Sequence, residues 1–230
     1  MRILALETST EWCSVAAGDG ARWIARDEPT GPAHSERALA LVEAVLAEAG
    51  WTLAAIDGIA FGAGPGSFTG IRVACGLAQG LALGADRPVV PVPTLAALAH
   101  AAWGSCGADR VVACLDARMR EVYVAAYARS GSAWCEIEAP RVLAPGQIAG
   151  PDGDDWFGAG NGFAAYPGLA VQLGLARADA TARPTARAVG ELALPRLVAG
   201  EGVAAADALP LYVRHRVALT TAEREAGARL

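Results

Sequence analysis

The sequence predicts an α/β protein of two lobes, each of which opens with a three-stranded antiparallel meander followed by helices. Three observations predict this fold class. Short apolar runs of strand length open both halves of the chain, longer runs with helical spacing follow them, and a small Gly-bearing segment at 104–109 separates the halves. We therefore expect an N-terminal lobe at 1–104 and a smaller C-terminal lobe at 105–230, whose tail packs back on the first lobe.

The first half predicts strands at 2–7, 12–17 and 21–27, then a helix at 34–49, a strand at 56–62, a helix at 71–83, a strand at 88–92 and a helix at 95–103. Gly18-Asp19-Gly20 is a turn signal, because glycines readily adopt positive φ. Leu39, Val42 and Leu46 form an apolar stripe at helical spacing, and Gly50 is a typical helix stop.

The second half predicts strands at 110–115, 122–128 and 133–142, a brief strand at 156–159 and a helix at 185–199, which Pro195 should kink or shorten. A last apolar stretch covers 209–213, and the polar tail from Thr220 is expected to fray. Both halves open with three strands, but they are too dissimilar in sequence to be identified as a repeat.

Composition excludes several classes of protein. The chain has 230 residues, of which 53% are hydrophobic, and every apolar run near the ~18 residues of a membrane span is interrupted. The N-terminus lacks the pattern of a signal peptide, so we expect a soluble cytoplasmic protein that does not enter a membrane. The net charge is −5 and all 19 basic residues are Arg, which predicts weak binding of nucleic acid by the chain alone.

Cysteine and histidine spacing argues against metal and disulfide chemistry. The five cysteines form no Cys-x-x-Cys pair, and the three histidines are far apart in sequence. We therefore expect reduced thiols and no metal site.

A Gly-rich segment lies between a predicted buried strand and the next helix. Its residues are Gly64, Gly66, Ser67, Thr69 and Gly70. Such a segment either lets the helix pack close to the sheet or holds an anion on free backbone N–H groups. Neither common nucleotide-binding glycine motif is present, so both interpretations stay open.

Two further clusters could carry chemistry. Glu7, Thr8, Ser9 and Thr10 end the first strand and form either a hydrogen-bonded turn or a site for a phosphate or a metal-bound water. The acids in segment 116–121 stand beside Arg residues and form either ion pairs or an acid–base pair.

The helices at 34–49 and 71–83 each have two fairly apolar faces. A core requires only one of them. The second face either also packs within the chain or forms a helical interface with another protein.

Several segments together resemble the TsaB (YeaZ-like) family of the bacterial machinery that makes threonylcarbamoyladenosine in tRNA. They are Ile-Leu-Ala-Leu-Glu-Thr-Ser at 3–9, His-Ser-Glu at 34–36, Gly-Pro-Gly-Ser-Phe-Thr-Gly-Ile-Arg at 64–72, Asp-Ala-Arg with Glu-Val-Tyr at 116–123, and Pro-Leu-Tyr-Val-Arg at 210–214. The similarity covers nearly the whole chain in order and spacing, and the Gly-Pro-Gly-Ser-Phe-Thr-Gly-x-Arg segment is specific to the family.

The resemblance implies an actin-like, ribonuclease-H-like fold and a role as a non-catalytic subunit. Such a subunit binds and activates the catalytic TsaD, is joined by the ATPase TsaE, forms a homodimer when alone, and meets tRNA only within the complex. It implies no cofactor and no metal. The positions that match the metal-binding histidines of TsaD are Thr94 and Leu98, which cannot replace two imidazoles.

The resemblance also implies site residues. The partner interface would lie on the two helices and include His34, Leu39, Val42, Leu46, Arg72, Cys75, Ala78, Gln79 and Ala82. The Gly-rich loop and residues 7–10 would be a vestigial nucleotide or anion site. Two alternatives stay open: an actin-like small-molecule kinase or ATPase that uses these loops, and a glycoprotease-like peptidase.

Overall fold

The computed structural model describes residues 1–31 and 33–214 as ten strands, six α-helices and short 3₁₀ turns. The tail from Thr220, which we expected to fray, lies outside the described residues.

The first sheet confirms the predicted meander. Its strands are β1 (Ile3–Glu7), β2 (Trp12–Gly18), β3 (Trp23–Pro29), β4 (Gly58–Gly64) and β5 (Val89–Pro93), in the order β3-β2-β1-β4-β5. Strands β1 to β3 pair antiparallel, whereas β4 is parallel to β1 and β5 is parallel to β4. Strands β1 and β4 are buried along their whole length, which explains their near-continuous apolar sequences.

Three helices follow the strands of the first half: α1 (His34–Ala49), α2 (Phe68–Ala85) and α3 (Thr94–Cys106). Helix α1 has the predicted bounds, and Gly50 ends it with φ 71°. Helix α2 begins three residues before the predicted start, because the Ser67 hydroxyl accepts a hydrogen bond from the N–H of Gly70 and caps the first turn.

Helix α2 is 18 residues long and apolar enough, by length and composition, to cross a membrane, although we expected no such segment. Its buried residues include Ile71, Ala74 and Ala78, and the last two belong to the core on the first sheet. A core helix of this kind meets the same criteria.

The second sheet repeats the strand order of the first. It contains β6 (Arg110–Arg118), β7 (Glu121–Ser130), β8 (Ala133–Leu143), β9 (Phe157–Ala159) and β10 (Arg177–Asp179), in the order β10-β9-β6-β7-β8. Again the first three strands pair antiparallel and the last two add in parallel. This shared order confirms the predicted two-part α/β fold class, although it could not be identified from sequence similarity between the halves.

Helix α6 (Ala186–Val198) follows two single-turn helices, α4 (Gly162–Ala165) and α5 (Leu169–Gln172), and crosses back to the first sheet. It packs on β1 and β2, where Ala186, Val189 and Ala193 are buried with Ala5 and Ala16 of the sheet. Pro195 lies within the helix rather than ending it. Helix α3 contacts both α6 and β6, so it lies between the two cores. The division at residue 104 stays a prediction.

Candidate functional sites: the cleft between the lobes and the face of helices α1 and α2

The Gly-rich loop and the β1–β2 loop lie against each other, although Thr8 and Gly70 are 62 positions apart in sequence. The hydroxyl of Thr8 donates to the carbonyl of Gly70 at 2.7 Å, and the N–H of Ser67 donates to the carbonyl of Ser9 at 2.7 Å. A Cβ on Gly66 would lie 2.6 Å from atoms of Ser9. Glycine is therefore required here for the close approach of two backbones, which is the packing interpretation of this segment.

Glu7 points away from the cleft and into the protein. One carboxylate oxygen accepts the N–H of Ser9 at 2.6 Å, and the other lies 3.5 Å from the hydroxyl of Thr94. The side chain is 1% exposed, and burial raises its pKa above the ordinary value. Because a Cβ on Gly62 would overlap this carboxylate, the glycine of β4 makes room for it. Glu7 therefore stabilises the β1–β2 loop from the interior, through its hydrogen bond with Ser9.

A cleft of about 560 Å³ separates the two lobes above these loops. The first lobe contributes Ser9, Thr10, Gly66, Ser67 and Thr69 to its walls, and the second contributes the β6–β7 turn with Asn161. The hydroxyl of Ser9 is buried and, among the described residues, has no hydrogen-bond partner. The cleft is therefore lined by hydroxyl, amide and backbone groups that can form hydrogen bonds.

The acids at the cleft are paired with arginines. Asp116 lies 3.1 Å from the guanidinium of Arg118, and Glu121 lies 2.6 Å from that of Arg214. The partner of Glu121 is thus Arg214, which lies outside segment 116–121. This arrangement matches the ion-pair interpretation of the cluster rather than the acid–base one.

The backbone of the β6–β7 turn is strained. Three successive residues, Arg118, Met119 and Arg120, have φ values of 60°, 53° and 61°. Side chains other than glycine rarely adopt this region, and such residues persist only where their surroundings hold them.

Most residues predicted at a partner interface are buried within the chain. His34, Val42, Leu46, Cys75, Ala78 and Ala82 are all at most 7% exposed. They lie on the inner sides of α1 and α2, since one apolar stripe of each helix covers the first sheet. Gln79 is half-buried and donates to the carbonyl of Ala208 at 2.9 Å. Only Leu39 and Arg72 of the predicted set are exposed, so the available surface differs from the predicted one.

His34 has a structural role at the start of α1. Its ring contacts the hydroxyl of Thr30 at 2.8 Å and the carbonyl of Thr10 at 2.9 Å. Because a carbonyl only accepts, Nε2 carries the proton and Nδ1 accepts from Thr30. Burial lowers the pKa of this imidazole, which favours the neutral form that the geometry requires.

The outer face of α2 carries a stripe of glycines that our sequence reasoning missed. Gly76, Gly80 and Gly84 are spaced four residues apart and are exposed, and within the described part of the chain a Cβ on any of them would meet no atom within 4 Å. Their i, i+4 spacing is visible in the sequence, but the residues predicted for an interface on this helix were Arg72, Cys75, Ala78, Gln79 and Ala82. On α1, the exposed residues include Leu39, Glu36 and Glu43.

The positions that match histidines in TsaD are both buried. Thr94 accepts the N–H of Gly64 at 3.1 Å, and Leu98 belongs to the core on the second sheet. Within residues 1–31 and 33–214, no three His, Cys, Asp or Glu side chains lie close enough together to hold a metal ion.

Comparison with known proteins gives consistent similarities. The family described as TsaD, tRNA N6-adenosine threonylcarbamoyltransferase, matches residues 28–221. The chain is 40% identical to the tRNA threonylcarbamoyladenosine biosynthesis protein TsaB of Escherichia coli K12, over 95% of this chain and 96% of that protein. It is 38% identical to the TsaB of Haemophilus influenzae, over 94% and 95% of the two chains.

Solved structures from Pseudomonas aeruginosa have the same fold. One, an uncharacterized protein with similarity to peptidase YEAZ, superposes with a TM-score of 0.88 at 43% identity and covers 93% of this chain and 99% of its own. The other, YeaZ, has a TM-score of 0.85 at 42% identity and covers 92% and 99%.

Proposed function

Because this chain belongs to the TsaB family of tRNA threonylcarbamoyladenosine biosynthesis proteins, we propose that it serves that biosynthesis as a non-catalytic subunit. In this proposal it binds and activates TsaD in the cytoplasm, TsaE joins the pair, and tRNA is met only within the complex. The same surface forms a homodimer when TsaD is absent.

The exposed glycine stripe of α2 is the observation that carries the proposal. Gly76, Gly80 and Gly84 present bare backbone on one side of the helix, and no atom of the described residues lies where their side chains would be. Such positions let a second helix approach closely enough for extensive van der Waals contact. Leu39 and Leu83 add exposed apolar area, at 47% and 79% exposure.

The neighbouring charges indicate the chemistry of the partner surface. Glu36 and Glu43 are exposed on α1. The surface that binds α1 and α2 should therefore be apolar at its centre, with Arg or Lys at the rim on the α1 side. A stable complex needs about 800 Å² from each partner, which two adjacent helices can supply.

Two features of the cleft support a non-catalytic role. The carboxylate of Glu7 faces the interior rather than the cleft. Asp116 and Glu121 are held in ion pairs with Arg118 and Arg214. Each of these two carboxylates is therefore engaged by a guanidinium rather than standing as a free acid–base pair.

The central experiment is reconstitution of the modification. Unmodified tRNA is incubated with TsaD, TsaE and the enzyme that makes the threonylcarbamoyl adenylate, with and without this chain. We expect modified adenosine only when the chain is present. Modification that proceeds equally well without the chain would overturn the proposal, and ATP turnover by the chain alone would favour the kinase or ATPase alternative.

Variants of the exposed face test the surface itself. Gly76→Arg and Leu39→Arg should abolish the complex with TsaD while the chain stays folded, since neither position contacts the core. Val171→Arg, at a position of the second lobe that is 83% exposed, is the matched control and should bind normally. Normal complex formation by both face variants would exclude this surface. Ala78→Arg, although also on α2, would not test this surface, because Ala78 is fully buried and an arginine there would disturb the core.

A further inference from the structure

We propose that residues 209–214, the C-terminal strap, form a latch that holds the two lobes closed over the cleft. The strap runs along the cleft mouth and contributes Leu211, Tyr212, Val213 and Arg214 to the cleft wall. This inference concerns the isolated chain and is independent of the proposed function.

The strap is fastened to the first lobe by its backbone. The N–H of Leu211 donates to the carbonyl of Ala63, in β4, at 2.7 Å. The carbonyl of Leu211 comes so close to Gly64, whose φ is +108°, that a Cβ there would lie 2.8 Å from it. The strap therefore lies against the first residue of the Gly-rich loop.

An aromatic stack forms the second attachment to the first lobe. The guanidinium of Arg72 lies 3.4 Å from the ring centre of Phe68 and 5.6 Å from that of Tyr212. Its Nε also donates to the Tyr212 hydroxyl at 2.9 Å. Arginine held between aromatic rings gains cation–π attraction in addition to the hydrogen bond.

The end of the strap is fastened to the second lobe. Arg214 donates to the carboxylate of Glu121 at 2.6 Å and to the carbonyl of Ala117 at 3.1 Å, and its side chain is only 12% exposed. Val213, between the two sets of contacts, packs against the core of the second sheet. Shielding from water strengthens the ion pair relative to a surface pair.

The strap also braces the strained β6–β7 turn. Besides its bond to Ala117, Arg214 places Nη1 3.4 Å from the sulfur of Met119, the middle residue of the three with positive φ. A turn of this kind needs neighbours that hold it. Release of the strap should therefore loosen the turn and the cleft together.

The test measures the distance between the lobes in the full chain. In a Cys106→Ser background, spin labels are attached to the native exposed Cys135 in β8 and to a cysteine introduced by Ala44→Cys, at an exposed position of α1. The labelled chain is diluted with unlabelled chain so that only intramolecular distances contribute. Arg214→Ala and Tyr212→Ala should each add a longer and broader distance population.

Leu209→Ala is the matched control, because this strap residue is 68% exposed, and its distances should equal those of the parent. Parent-like distances in both Arg214→Ala and Tyr212→Ala would overturn the latch. Circular dichroism checks the fold of each variant. If either fails to fold, the milder variants Tyr212→Phe and Glu121→Gln decide: a longer-distance population in them supports the latch, and unchanged distances refute it.

Discussion

Two glycines of α2 should respond oppositely to the same substitution. A Cβ on Gly70 would overlap the carbonyl oxygen of Thr8, far inside the 3.0 Å that real Cβ atoms keep, whereas a Cβ on Gly80 would meet no atom of residues 1–31 or 33–214 within 4 Å. Both residues are helical and neither has positive φ, so the backbone conformation accepts alanine equally well at the two positions.

The expected magnitudes follow from these neighbours. The obstacle at Gly70 is backbone, so the β1–β2 loop must retreat by roughly 1 Å, an overpacking that costs about 1–3 kcal/mol. The retreat also weakens the hydrogen bonds Thr8–Gly70 and Ser9–Ser67, each worth about 1 kcal/mol. Gly70→Ala should therefore lower the free energy of unfolding by about 2–4 kcal/mol. Gly80→Ala should raise it by about 0.5–1 kcal/mol, since alanine has the higher helix propensity.

Urea denaturation of the full chain measures both changes, and thermal melting provides a second readout. Each kcal/mol corresponds to about 2–4 °C in a protein of this size. If Gly70→Ala unfolds within about 0.5 kcal/mol of the parent, the close approach of the two loops does not constrain residue 70. A clear loss of stability in Gly80→Ala would contradict the open outer face of α2.

Three further predictions concern titratable groups. In the native chain a thiol reagent should modify only the exposed Cys106 and Cys135, and denaturation should make the three buried thiols reactive as well. Burial raises the pKa of all three buried thiols, to about 11 for Cys13 and about 12 for Cys114. Reaction of a third thiol under native conditions would refute this prediction. Because burial raises the pKa of Glu7, the native state holds a proton that the unfolded chain releases, so stability is lost as pH rises through and above the ordinary value of 4.5. Glu7→Gln should flatten this decline above the ordinary value of 4.5, and an equally steep decline in the variant would contradict the assignment. Burial lowers the pKa of His34, so the contribution of this residue to the free energy of unfolding is present above the ordinary value of 6.5 and is lost as pH falls through the folded pKa. His34→Gln should therefore lose less stability on acidification than the parent, as measured by the urea midpoint at each pH.

Local sequence signals predicted most of the elements. Helix α1 has the predicted bounds, because a heptad-like apolar stripe and a terminal glycine define both its face and its end. The three-residue strand β10 was missed, since so short an element has no periodicity to detect. Pro195 was expected to kink or shorten α6, but it lies inside the helix, which packs on the first sheet and continues to Val198.

The candidate site was predicted in part. The two loops were identified from their glycines, hydroxyls and position after strands, and they do meet through Thr8 and Gly70. Their contact also explains why glycine stands at residues 66 and 70. The sequence could not say that Glu7 faces inward, because strand alternation carries no information when both faces of a strand are buried.

By itself, the sequence determined the types and order of the elements, the glycine motifs and the family, because these depend on neighbours along the chain. Only the tertiary structure decided which side of α2 faces outward, that α6 returns to the first sheet, and that the strap crosses the cleft. Each of these depends on contacts between distant residues, such as the bond from the N–H of Ala186 to the hydroxyl of Ser14, 172 positions away. No local sequence pattern encodes such a pair, because the contact forms only when folding brings the two distant residues together.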